Sequence, residues 1–314
     1  MMPGTRIGGL AETAPAGARL RQRAAELLRG VSIELSAREH GSEQMCRGFL
    51  APGTPVYVNF APDDSYHAVV ETAARLKRAG FCPVPHVAAR YLTGLTQLDD
   101  FLARAVGAGV DRVLVIAGDI SQAAGPFHSS LELIETRLLA KRGIRSVAIA
   151  GYPEGHPKIA TAALDAALAA KLHLLQSDGI ASYIVTQFCF DAAPIISWLA
   201  RLRGTGVQVP VRVGLAGPAS IATLAKFAMR CGIGNSLLAL VGGQTSIARL
   251  LIESSPEKVI HALAAVDPTG VDIAGLHLFT FGGVARTGKW LRAITEGEPG
   301  AADDSRTRVE GGTA

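Results

Sequence analysis

Short runs of Val, Ile, Leu and Ala alternate with longer amphipathic stretches along most of the chain. The runs at 31–35, 55–60, 82–88, 112–118, 146–151, 182–190, 209–214 and 271–280 predict strands. They are continuous rather than alternating, which is the pattern of parallel strands buried on both faces. Between them, apolar positions recurring every three to four residues predict helices at 65–79, 95–108, 131–142, 161–177, 193–203, 221–229 and 246–263, with a last one at 284–295. Gly80, Gly109, Gly143, Gly179 and Gly204 stand just past helical runs, where a left-handed cap residue belongs. About eight strand–helix units in a chain of this length predict an α/β fold, a single-domain (β/α)8 TIM-type barrel over residues 16–297. An open doubly wound sheet is the alternative. Against it, no strand leads into a Walker loop or a G-x-G-x-x-G, and Gly107-Ala108-Gly109 and Gly232-Ile233-Gly234 lack the third glycine. The stretch 230–244 adds a segment between the seventh and eighth units. Residues 1–15 and 298–314 lack apolar periodicity and are expected to be disordered.

Composition refines this picture. The 314 residues are 48% hydrophobic but only 5% aromatic, which suits helices packed closely on a buried sheet. The net charge of +4 is mild and scattered. Its one dense stretch (Arg19, Arg21, Arg23, Arg29) reads as the solvated face of a leading helix rather than a nucleic-acid contact. No apolar run reaches the length of a membrane span, and the opening residues lack the apolar core of a secretion signal. A soluble cytoplasmic protein is expected, with no nucleic-acid or membrane partner. The four cysteines, Cys46, Cys82, Cys189 and Cys231, form no C-x-x-C pair, so neither a disulfide framework nor a zinc site is expected.

Chemistry concentrates at the predicted strand ends, where a barrel of this kind carries its site. Gly151-Tyr152-Pro153-Glu154-Gly155-His156-Pro157 follows the fifth strand. Glu34 lies within the first; a carboxylate there needs a partner or an open mouth to face, and burial is expected to raise its pKa towards general-acid work. An ion-paired structural Glu fits the position equally well. Asp119 follows Gly118 at the end of the fourth strand, either as a ligand contact or as a cap for the next turn. His86 and His156 end apolar runs, and no metal-binding spacing joins them. Tyr152 either stacks on a planar ring or covers the core. Gln187 is a polar amide in an apolar strand and needs a partner.

In this order along the chain, Ser32-Ile33-Glu34-Leu35, Pro85-His86, Gly118-Asp119, Gly151 to Pro157, Thr186-Gln187-Phe188-Cys189-Phe190-Asp191 and His277-Leu278-Phe279-Thr280 resemble the methylenetetrahydrofolate reductase family, a flavin-binding β/α barrel. The resemblance runs from about Val31 to Leu291. It implies an oxidoreductase that interconverts 5,10-methylenetetrahydrofolate and 5-methyltetrahydrofolate by hydride transfer through N5 of FAD. Glu34 is then the general acid, Asp119 the carboxylate near the flavin's pyrimidine end, and Gln187 the residue that bonds the pterin. Asn59, His86, Ala117, Gly118, Asp119, His128, Ser129, Tyr152, His156, Asp165 and Lys171 fall where the family holds FAD. The expected partners are a tetrahydrofolate derivative and a second copy of the chain, with NAD(P)H or another electron partner.

The chain departs from the family pattern at several points. Leu35-Ser36-Ala37-Arg38-Glu39 stands where aromatic and proline residues are usual, Ala117 where a basic residue precedes Gly-Asp, and Gly282-Gly283 in place of an Asn-Arg pair. Arg286 is the candidate for the missing charge toward the folate tail. These changes point to a divergent branch, with a different electron partner or with flux toward oxidation of the methyl-folate. A pterin-binding methyltransferase barrel without flavin and a silent partner subunit are the competing readings.

Overall fold

The computed structural model describes residues 16–39, 41–233, 253–266 and 272–296. Eight parallel strands close into a barrel in the order β1-β10-β7-β6-β5-β4-β3-β2. They are β1 (Ser32–Ser36), β2 (Pro55–Asn59), β3 (Cys82–Ala88), β4 (Arg112–Ile116), β5 (Ser146–Gly151), β6 (Ala181–Thr186), β7 (Val211–Ala216) and β10 (Gly275–Phe279). The remaining two strands, β8 (Ala219–Ser220) and β9 (Glu253–Ser254), pair with each other antiparallel beside the barrel.

The helices are α1 (Ala16–Arg29), α2 (Ser42–Arg47), α3 (Tyr66–Arg78), α4 (Leu95–Gly107), α5 (Ser130–Glu135), α6 (Leu138–Lys141), α7 (Thr161–Ser177), α8 (Ala192–Gly204), α9 (Ile221–Cys231), α10 (Glu257–Ala264) and α11 (Val284–Glu296). The main core lies between barrel and helices, where Ile33, Leu35, Val56, Val58, Val113, Val115, Val147 and Ile149 meet the helical layer. Alternate residues point inward. Tyr57, Val84, Leu114, Ala148 and Val185 fill the lower barrel as a separate buried cluster.

The expected barrel is present, with local corrections. The fourth strand ends at Ile116 rather than residue 118, because Gly118 takes φ +93°. The sixth ends at Thr186 rather than residue 190, and the Gln187 side chain turns back to accept from the Phe188 N–H. The helix expected over 131–142 is two short ones. Arg137 breaks it at φ 59°, where the Thr136 hydroxyl donates to Leu133 O and accepts from Leu138 N, and the Arg137 guanidinium pairs with Asp178. Within the helix expected over 246–263, Glu253–Ser254 is strand and Pro256 caps α10; residues 246–252 lie outside the described residues. The expected disordered ends, 1–15 and 298–314, also lie outside them, as does the inserted segment beyond Ile233. No helix among the described residues is long and apolar enough to cross a membrane.

Candidate active site

The site grows out of strand alternation. Ser32 and Glu34 on β1, Tyr57 and Asn59 on β2, Val84 and His86 on β3, and His277 and Phe279 on β10 share the inward parity. Tyr57 is fully buried, and its hydroxyl meets that of Tyr183 at 2.8 Å across the barrel. Its ring packs edge-on to His277 at 4.4 Å and to His86 at 6.2 Å, making a floor under both imidazoles.

Above that floor stands Glu34. Its Oε1 accepts from Asn59 Nδ2 at 3.2 Å, and its Oε2 lies 3.4 Å from His86 Nε2 and 3.6 Å from His277 Nε2. The Ser32 hydroxyl donates to the Leu276 carbonyl and is 3.1 Å from His277 Nδ1. A hydroxyl has one proton to give, so with that proton on the Leu276 carbonyl it is His277 Nδ1 that donates the second bond. His86 Nε2, His277 Nε2 and Asn59 Oδ1 are buried without a hydrogen-bond partner among the described residues.

Burial alone would push the Glu34 carboxyl up. His86, His277 and Asn59 outweigh it and hold the carboxyl below its ordinary range. This corrects the expectation of a raised pKa: the missing information was that two imidazoles converge on the carboxylate. Burial holds the His86 imidazole low, against the opposing pull of Glu34.

Asp119 sits exposed on the rim just past β4, three strands from β1. Its Oδ1 accepts from the Tyr91 hydroxyl at 2.7 Å, and its Oδ2 pairs with Arg230. Burial works to raise this carboxyl, but the bonds from Tyr91 and Arg230 bring it below its usual range. A Cβ on Gly118 would lie 3.1 Å from the Tyr91 ring, so glycine lets that ring reach Asp119. Beside them, Tyr152 and His156 form an edge-to-face pair at 5.6 Å at the end of β5. Gln187 follows β6, with its N–H on Gly151 O at 2.8 Å. Asn59, His86, Asp119 and Tyr152 thus lie on or just past four adjacent strands, β2 to β5, and line one arc of the mouth.

The other predicted residues stand apart from this arc. Ala117 accepts the Arg90 N–H through its carbonyl. The His128 carbonyl accepts from Arg90 Nε at 2.8 Å, while its side chain is exposed. The Ser129 side chain caps α5 in a reciprocal capping box with Glu132. Asp165 is 3.6 Å from Arg201 of α8, and Arg286 is exposed in the first turn of α11. Lys171 is buried on α7, and burial pulls its ammonium down to about 8. Among the described residues no group of three His, Cys, Asp or Glu is placed to hold a metal ion.

Sequence reading missed His277, Tyr91 and Arg230 as site residues. The first had a signal. A histidine inside an apolar strand needs a polar partner, and His277 has the same inward parity as Phe279. The other two had none, since their roles depend on tertiary placement.

The fold and the mouth define a β/α-barrel protein with two partnered carboxylates at its C-terminal rim, three strands apart. The family model for methylenetetrahydrofolate reductase matches residues 64–280, well over half of the chain, and the chain belongs to that family. It is 28% identical over 148 residues to methylenetetrahydrofolate reductase 2 of Saccharomyces cerevisiae, covering 45% of this chain and 24% of the yeast protein. It is 27% identical over 171 residues to the 5,10-methylenetetrahydrofolate reductase of Pectobacterium carotovorum, covering 54% of each. The chain therefore spans about a quarter to a half of these curated relatives' lengths. Among solved structures, an uncharacterized protein from Clostridium thermocellum that binds two copies of 5-methyl-5,6,7,8-tetrahydrofolic acid shares the fold. Its TM-score is 0.55 at 13% identity, covering 88% of this chain and 98% of that one.

Proposed function

We propose that the protein is a flavin-dependent oxidoreductase interconverting 5,10-methylenetetrahydrofolate and 5-methyltetrahydrofolate, with NAD(P)H or another two-electron partner completing the cycle. The observation that carries this reading is the Glu34 cluster: a buried carboxylate flanked by two imidazoles and an amide, at the mouth of a barrel of this family.

The residues fit FAD in kind. Asn59 Oδ1, without a hydrogen-bond partner among the described residues, and the His86 ring beside it offer hydrogen-bonding capacity along the arc from β2 to β5. Gly118, Asp119, Tyr152 and His156 continue that arc, with Ala117, His128 and Ser129 along the outer loop. Lys171, with Asp165 on the same helix, is the cation assigned to the phosphates. When bound, the flavin supplies two-electron hydride chemistry at N5.

The chain's own work is to orient folate and to move a proton. Gln187 presents an amide to the pterin, and Arg286 stands at the rim for the carboxylate tail. Glu34 accepts the proton released when the folate imidazolidine ring closes and returns it when the ring opens, a general acid–base role at one atom pair. His277 Nε2, 3.6 Å from Glu34 Oε2, favours the ionised carboxylate between those steps, and Ser32 orients the imidazole through Nδ1. Asp119 sits three strands away on the rim, ionised. Tyr57 and Tyr183 close the floor beneath Glu34.

Replacing Glu34 with Gln keeps the shape and removes the proton acceptor. We expect the variant to retain FAD and to lose folate turnover by roughly 100-fold or more. Unchanged turnover would remove the assigned role.

A further inference from the structure

Helix α9 does not take the usual place of a helix on the outside of the barrel. Its Leu224, Phe227, Ala228 and Cys231 pack with Phe188, Phe279 and Phe281 from the ends of β6 and β10. Phe227 stacks on Phe281 at 4.0 Å. At its far end, a Cβ on Gly232 would lie 2.3 Å from Pro157 Cγ, so the helix terminus rests on the loop after β5. One residue earlier than Cys231, Arg230 pairs with Asp119, past β4. The helix follows β7, and β4 is three strands away, beyond β6 and β5. Thus α9 is a crosspiece over the mouth, anchored by aromatic rings on one side and by Arg230 and Gly232 on the other.

We propose that Arg230 is a positioning residue. It holds Asp119 in place as a carboxylate and ties α9 over the mouth, so that binding of a planar ligand against the Asp119 rim depends on this ion pair. The choice of ligand rests on the function proposed above; the positioning of Asp119 does not. The side chains of Arg230 and Asp119 are 55% and 48% exposed. A pair so open to water contributes little to stability, so its consequence lies in placement and charge. It also neutralises a rim carboxylate that would otherwise repel an anionic ligand. The groups that face Asp119 are the Tyr91 hydroxyl and the Arg230 guanidinium. The Cys231 thiol lies within electrostatic reach of both Asp119 and Glu34, and Asp63 acts on Tyr91.

The test compares the full-length protein with Arg230→Gln and Arg230→Lys. The Asp119 carboxyl titration is followed by carbon-13 NMR, assigned through Asp119→Asn, and affinities for FAD and 5-methyltetrahydrofolate are measured by direct titration. We expect the Asp119 titration to move to higher pH in Arg230→Gln and to move back toward wild type in Arg230→Lys. Affinity for at least one ligand should fall on the order of five-fold in Arg230→Gln, with partial rescue by Lys and unchanged thermal stability. An Asp119 titration and ligand affinities both unchanged in Arg230→Gln overturn the proposal. If the wild type binds neither ligand, the functional reading fails, and the NMR titration alone decides the positioning role.

Discussion

The last barrel strand brings His277 Nε2 to 3.6 Å from Glu34 Oε2 on the first strand, 243 residues away along the chain in numbering and adjacent only because the barrel closes there. Ser32 orients the imidazole through Nδ1, and the contact couples His277 to the charge of Glu34.

Removing His277 tests that coupling. The native carboxyl of Glu34 lies below its ordinary value of 4.5. The stability it contributes is therefore present above the unfolded pKa and is lost as pH falls through the native one. In His277→Gln one lowering influence is gone, so the loss begins at higher pH. Acid-unfolding midpoints should rise on the pH scale relative to wild type. The acid limb of folate turnover should move the same way. An unmoved limb would mean that His277 does not act on the Glu34 carboxyl.

Removing Lys171 gives the opposite effect on stability, although the pH dependence has the same sign. Its pKa falls from 10.5 in the unfolded chain to about 8 in the folded one. Between those values the unfolded chain binds the proton and the native one does not, so stability rises with pH across that window; below it the cost of burying the charge is felt in full. Lys171→Met should therefore stabilise the protein at pH 7 by up to about 3 kcal/mol. The gain should shrink as pH climbs toward 10.5. The same variant should hold FAD less tightly. Denaturant melts across pH check the first part; a gain independent of pH would contradict it.

Gly214 connects packing to the site. A Cβ there would lie 2.2 Å from Thr186 O, 2.9 Å from Phe279 Cε2 and 3.1 Å from the backbone carbon of Gln187. Backbone cannot yield cheaply to such overlap, and Gly214→Ala should cost on the order of 1–3 kcal/mol. A melting temperature lower by several degrees, with weaker folate binding through displaced Gln187, is the expected pair of results. A variant as stable as wild type would show that β6 and β7 separate more easily than this packing implies.

How much of this was legible beforehand follows from the physics of each part. The barrel strands announce themselves because burial on both faces demands continuous Val and Ile. Glu34 and Asp119 stand out because carboxylates beside such runs need a reason. The charge state of Glu34 was read in the wrong direction, since it depends on His86 and His277 arriving from strands distant in sequence. Arg137 broke a helix whose apolar spacing gave no warning, because the break is held by Thr136 and by an ion pair to Asp178. The position of α9 over the mouth was not visible either. Its amphipathic pattern is the same whether its apolar side meets the barrel wall or the aromatic ends of β6 and β10.

The central claim is tested most directly by recording the visible spectrum of the purified protein and then adding 5-methyltetrahydrofolate without oxygen. The account predicts a flavin spectrum that bleaches on addition of the folate. A colourless protein that cannot be reconstituted with FAD, or a bound flavin that the folate leaves oxidised, would contradict it.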